Sequence, residues 1–339
     1  MTAFRARSMG TPVAAHAIPS FASTPKEMSG GSSHMRTITA RFRPVLTAVL
    51  TLSLVMLGGP WVASQVVQAQ EYQLFLSVTD ANGMPVTDLE DDEVVVQWDG
   101  EDADIRDMDS LEWPVQLTIL VDNSEGASDG IEDMREGLKA MLAVIPEDVE
   151  VGILTLAGEA EWAQDHTDDR GDLISAIDEL DDESSASAFL DGLGEEAERL
   201  ADDRDEYFPV IVIVSGDGPD GSEGDQGNFD AAMQRLTETA ATVHTRVLSH
   251  GNEGTRQEQV GTYAAELTRG TYEVLDMPAN FRTLLPALGE TIAQKHALVM
   301  NQYLVTYRPP DNVSAQPGIS VGSTREGLSL LPTIDGNVP

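Results

Sequence analysis

Cysteine is missing from the 339 residues, which excludes a disulfide framework, a thiolate metal site and a cysteine nucleophile. Lysine is nearly missing: Lys26, Lys139 and Lys295 are the whole set, so the positive charge is almost all arginine. Basic residues number 20 against 58 acidic ones, a formal net charge of −38. Phosphate contacts need clustered Lys and Arg, so no nucleic-acid partner is expected. Aromatics make up 5 %, and Trp61, Trp98, Trp113 and Trp162 are too dispersed for a sugar platform. There is no phosphate-binding Gly-Lys-Ser/Thr loop and no His-Glu-x-x-His. No nucleophile and base can be named together, so the chain is read as not an enzyme. What is present is a 41 % share of hydrophobic residues, ample for a real core.

The charge is unevenly placed. Up to Ala69 there are six basic residues and one acid, Glu27; the remainder carries 57 acids and 14 bases. A high-GC genome, a salt-adapted surface and an acidic metal-binding face all produce such a balance, and charge does not choose among them. Residues 35–69 have the layout of a secretory signal peptide. Arg36, Arg41 and Arg43 form a positive start, and Val45 to Leu57 is an uncharged run of 13 residues, short for a bilayer span. Gly58-Gly59-Pro60 breaks the run, and Ala69 offers a small residue at the cleavage position. Residues 1–34, rich in Ser, Gly, Pro and Ala, are expected to be disordered and to precede the true start, Met35 or Met28. The expectation is a secreted or periplasmic bacterial protein with no membrane span in the mature chain. The alternative is an anchor in the inner membrane through an uncleaved signal.

Residues 71–112 read as a small β-region. Leu74, Leu76 and Val78 alternate with more polar neighbours, Asn82-Gly83 makes a turn, and Val94 to Trp98 is a strand closed by Asp99-Gly100. From Val115 strands alternate with helices. Strands are expected at 115–121, 149–156, 210–214, 243–248 and 272–275. Ile131, Met134, Leu138, Met141, Leu142 and Ile145 form the apolar stripe of a first helix, and five more helices are expected at 173–180, 189–200, 229–240, 260–267 and 281–292. The fold class is α/β: a doubly wound, mostly parallel sheet with helices on both faces over 113–298, its functional loops at the carboxyl ends of the strands. Residues 299–339 add Tyr303 to Tyr307 as a strand. One strand pair (Gly318 to Val321, Leu328 to Leu331) is expected to join the N-terminal β-region.

Three loops hold the chemistry. The first strand ends in Asp122-Asn123-Ser124-Glu125-Gly126, the third helix begins after Ser184-Ser185-Ala186-Ser187, and Val210 to Val214 ends in Ser215-Gly216-Asp217-Gly218. Converging carboxylates and hydroxyls make an oxygen-only site, which suits a hard divalent cation. Here the chain resembles the von Willebrand factor type A domain with its metal-ion-dependent adhesion site. In that family the first loop reads Asp-x-Ser-x-Ser, a Thr follows a Gly-Gly pair, and an Asp follows the fourth strand. Asp122 and Ser124 match the first two ligands, and Ser187 stands where the Thr would. The flanks resemble a bacterial exported subfamily of the same domain: Val78-Thr79-Asp80, Gly83, Pro85-Val86-Thr87, Leu89, Asp92, Val96 and Asp99-Gly100 before it, Tyr303-x-x-x-Tyr307-x-Pro309 after it.

The departures carry as much weight. Gly126 replaces the second serine, and a gapless alignment puts Gly216 at the aspartate position, whereas a one-residue bulge restores Asp217. Two outcomes stay open. In one, the resemblance implies Asp122, Ser124, Ser187 and Asp217 around Mg²⁺ (or Mn²⁺ or Ca²⁺), with a carboxylate from a protein partner completing the site. In the other, the chain is a metal-independent scaffold or assembly module of the cell envelope. A metal-assisted hydrolase ranks third.

Other signals have plainer readings. Asp217, Asp220, Glu223 and Asp225 do not fit an EF-hand loop and read as a solvated acidic loop. Arg170-Gly171-Asp172 falls where a helix should begin, which explains Asp172 without a receptor. His166, His244, His250 and His296 are scattered and read as surface or structural residues, and Asn312-Val313-Ser314 is an idle glycosylation sequon.

Overall fold

The structure, a computed structural model, describes residues 4–6, 71–202, 207–310 and 318–338. One unit takes residues 1–18 and 70–339; the other, 19–69, lies outside the described residues, as do the signal-peptide expectation and the sequon at 312–314. Within the segment expected to be disordered, β1 (Phe4–Ala6) is a three-residue strand. Among the described residues no helix is long and apolar enough to cross a membrane.

The α/β part follows from strands whose two faces are both apolar. The central strand β6 (Val115–Val121) sends Leu117, Ile119 and Val121 into one hydrophobic core and Leu120 into the other. In β9 (Phe208–Gly216), buried along its whole length, Val210, Val212 and Val214 face the first core and Ile211 and Ile213 the second. A strand buried on both faces needs helices on both sides. The first layer is α1 (Ile131–Leu142), α2 (Arg170–Asp178) and α6 (Phe281–Val299); the second is α3 (Phe189–Asp202), α4 (Gln226–Glu238) and α5 (Arg256–Leu267). With β7 (Val151–Thr155), β8 (Glu161–Thr167), β10 (Thr242–Leu248) and β11 (Tyr272–Leu275), the six-stranded sheet has the order β11-β10-β9-β6-β7-β8. All neighbours are parallel except the edge strand β8, which pairs antiparallel with β7. The fold is therefore the doubly wound, mostly parallel sheet expected, with β8 as an unforeseen addition.

The flanks build two antiparallel sheets. One, in the order β14-β2-β12-β5, uses β2 (Tyr72–Thr79), β5 (Asp104–Leu111), β12 (Gln302–Arg308) and β14 (Ser329–Thr333). The other runs β1-β13-β3-β4, with β3 (Val94–Trp98), β4 (Glu101–Asp102) and β13 (Ile319–Ser323). Leu74, Leu76, Val96, Trp98, Val305 and Val321 share one core between them. The Asp99-Gly100 turn joins β3 to β4 with φ of 54° and 88°, the hairpin geometry that twisted strands prefer. β13 and β14 are not the pair expected: β13 bonds to β3 and β14 to β2, in different sheets. Each fills a place beside a strand that already had one partner, which a hairpin between them would leave exposed.

The two parts meet at the amino ends of the parallel strands. Phe75, Trp113 and Phe208 form a ring cluster there, with centroids 5.7–6.2 Å apart. The carboxyl ends of β6, β7, β9 and β10, with their loops, make the opposite crest.

Candidate functional site

Backbone bonds knit the crest loops together. Glu183 N–H donates to Asn123 O, Glu125 N–H to Ser185 O, Ser187 N–H to Pro219 O and Gly221 N–H to Ser187 O, all within 2.7–3.0 Å. The three loops singled out from the sequence thus do converge. The stretch around Asp181–Glu183 is part of this seam, since Asn123 Nδ2 also donates to Asp181 O.

Asp122 is fully buried. Its Oδ1 accepts the Ser124 N–H at 3.0 Å, and its Oδ2 accepts the Ser215 hydroxyl at 2.6 Å and the Gly216 N–H at 3.3 Å. Ser124 and Ser187 are buried completely too, and their Oγ atoms have no hydrogen-bond partner among the described residues. A buried hydroxyl without a partner forfeits about 1–3 kcal/mol of hydration. These two oxygens are unsatisfied in the one place where the sequence anticipates a ligand.

Asp217 is engaged elsewhere. Its Oδ2 accepts the His250 N–H at 2.8 Å, the Asn252 N–H at 3.0 Å and the Ser249 hydroxyl at 3.1 Å; its Oδ1 accepts His250 Nδ1 at 2.9 Å and Asn252 Nδ2 at 3.2 Å. All of these donors come from the loop after β10. Burial pushes the Asp217 carboxyl up, but the bonds from His250, Asn252 and Ser249 outweigh it and hold the group below its ordinary value. His250 also reaches Asp129 Oδ1 through Nε2 at 3.0 Å. Its imidazole is lowered by burial and raised by Asp129 and Asp217, with a net rise above 6.5. No bulge precedes Asp217, since β9 stays in register with β10 down to the Gly216–Leu248 pair.

Where the family places a serine and an aspartate, two backbones touch. A Cβ on Gly216 would overlap the Gly126 carbonyl, and one on Gly126 would sit 2.6 Å from Gly218 Cα. Gly126, Gly216 and Gly218 therefore close the first loop onto the fourth-strand loop, and the space of two family ligands is filled by main chain. Asp122, Ser124 and Ser187 fit a hard cation; the family's full ligand set does not fit this chain.

The solvated-loop reading of residues 217–225 fails at its first two acids. Asp217 is 4 % exposed, and the Asp220 side chain, 5 % exposed, accepts the Phe189 N–H at 3.2 Å and pairs with Arg256 Nε at 3.0 Å. Asp220 fastens the start of α3 to the crest. Arg170-Gly171-Asp172 does open a helix: Asp169 caps α2 through the N–H groups of Gly171 and Asp172, and the Arg170 guanidinium donates to Pro146 O and Val149 O. The sequence does not single out Asn252; it marks Ser215 only as part of its loop and His250 as a surface or structural residue, although His250 stands two residues past the end of β10, where the rule about carboxyl-end loops applies.

Residues 117–220 match the sequence model of the von Willebrand factor type A domain. No curated protein matches the chain. Among solved structures, a von Willebrand factor type A protein from Catenulispora acidiphila is similar over 79 % of this chain and 74 % of its own, at 12 % identity and a TM-score of 0.47. BatB from Bacteroides thetaiotaomicron is similar over 53 % of this chain and 99 % of its own, at 14 % identity and a TM-score of 0.41. An aerotolerance-related membrane protein from Bacteroides fragilis covers 52 % and 98 %, at 17 % identity and a TM-score of 0.38. The matched stretch runs from β6 to Asp220 and so takes in the three loops singled out from the sequence: this chain carries a von Willebrand factor type A domain.

Proposed function

We propose that the chain is a protein-interaction module that binds its partner through the crest without the family's divalent cation. Type A domains commonly mediate protein interactions, and a fold by itself says no more than that. The observation that carries the metal-independent reading is the closure of Gly126 onto Gly216 and Gly218, which puts main chain where two oxygen ligands belong. Glu125 and Asp129, exposed on the crest, give the binding face an acidic rim. Such a rim favours a partner with basic side chains. We also read the protein as exported, on the signal-like segment 35–69, and as non-catalytic, because no nucleophile with a base is assembled at the crest.

A second reading keeps the cation. The unpartnered hydroxyls of Ser124 and Ser187 beside buried Asp122 favour a small ion held by three side-chain oxygens and water. Thermal unfolding in EDTA, Mg²⁺ and Mn²⁺ separates the two. A melting temperature unchanged by the ions supports the metal-independent module. A rise that Ser187→Ala removes establishes the cation site and rejects it. Partner capture retained in EDTA but lost in Glu125→Arg with Asp129→Arg places binding on the crest, and capture indifferent to both charge reversals moves it elsewhere.

A further inference from the structure

At the opposite end of the sheet the last turns of α6 meet the C-terminal segment. Lys295, 6 % exposed, points its Nζ at Thr242 Oγ1 (2.8 Å), at Val338 O (2.8 Å) and at Asn337 Oδ1, with which it is in direct contact. Asn337 and Thr242 are each 3 % exposed, and Val338 is fully buried in the core under α1 and α6. Asp335, the acid whose field reaches Lys295, is already paired with Arg269 at 2.5 Å. Among the described residues, an ammonium here faces neutral oxygens only. A buried charge without a counter-charge is a costly arrangement, and a neutral amide in its place removes that cost.

We propose that Lys295 and Asn337 are joined by an intramolecular amide bond, formed between Nζ and Cγ with loss of ammonia. The amine, the carboxamide and the Thr242 hydroxyl are in mutual contact. The Nζ lone pair attacks the Asn337 carboxamide carbon. The Thr242 hydroxyl, which accepts from Nζ and donates to Oδ1 at 3.1 Å, passes the proton of the attacking amine to the carboxamide oxygen. When the tetrahedral centre collapses, the carbonyl reforms, the Cγ–Nδ2 bond breaks, and Nδ2 leaves as ammonia carrying that proton. One C–N bond forms and one breaks, with no oxidant or reductant. Nδ2 donates to Ala240 O at 2.9 Å, which holds the leaving group on the side away from the amine. Burial first, then the Arg269 charge, lower the Lys295 amine to about 8 against the pull of Asp335, so the nucleophilic neutral form is accessible under ordinary conditions. A chain with no cysteine has no disulfide with which to fix this segment; the amide would do so.

Tryptic digestion of the unfolded full-length protein, read by mass spectrometry, decides the matter. The bond protects Lys295 from cleavage and joins residues 283–325 to 326–339, with a mass one ammonia below the sum of the two peptides. Lys295→Arg abolishes the joined species, and Thr242→Val depletes it relative to the free peptides. Recovery of 283–295 and 326–339 as separate peptides of unaltered mass leaves Lys295 a simple ammonium clamp and overturns the proposal. The wild-type digest alone is decisive if either variant fails to fold.

Discussion

The two ends of the central sheet bury polar groups in contrasting ways. At the crest, Asp122 and Asp217 are surrounded by N–H and O–H donors, yet the hydroxyls of Ser124 and Ser187 are left without partners. At the base, Lys295 Nζ, Thr242 Oγ1 and both polar side-chain atoms of Asn337 are all bonded. The crest retains unused hydrogen-bonding capacity; the base has none among those groups. Two equally buried polar clusters thus differ in how completely their groups are satisfied.

The largest effect that tests this contrast is at the base. Deleting residues 334–339 strips Lys295 of two of its three oxygens and exposes the core beneath Val338. Each hydrogen bond lost by a buried charged group costs about 1.5–3 kcal/mol, to be read by urea unfolding. A loss near zero would mean that the base is not a cohesive site at all. An intermediate effect belongs to Gly216→Ala, whose Cβ overlaps the Gly126 carbonyl. Forcing the two loops apart should cost about 1–3 kcal/mol in the same assay, and an unchanged stability would show slack where the structure has contact. The smallest effect is the titration of His250. Because Asp129 and Asp217 raise its pKa above 6.5, its contribution is complete below 6.5 and is lost as pH rises through the higher folded value. The melting temperature should fall slightly across that window in the wild type, and the step should vanish in His250→Gln.

Much of the fold was legible because burial writes itself into periodicity. The stripe from Ile131 to Leu142 and the unbroken run Val210 to Val214 placed α1 and β9, and the bounds of β6 and β11 matched. β8 escaped because Glu161–Thr167 is a half-exposed edge strand whose inward residues, Trp162, Gln164 and His166, are not an apolar set. At the site, Asp122, Ser124 and Ser187 could be placed from strand ends and a helix start. The direction of Asp217 could not, since it is decided by His250 and Asn252, on a loop 33 to 35 residues further along the chain. Nor does a sequence reveal that Gly126 and Gly216 touch: a missing side chain reads as a lost ligand, not as a closed gap.

One feature of the flanks governs how the crest can be loaded. The sandwich takes strands from before the α/β domain and from after it, with β2 and β12 lying side by side, so the domain is an insertion mounted at two points. The chain crosses between Leu111 and Val115 on the way in and between Val299 and Gln302 on the way out. A pull exerted on the crest by a bound partner is divided between those two crossings and the Phe75–Trp113–Phe208 rings beside them, so the domain cannot swivel on a single peptide link.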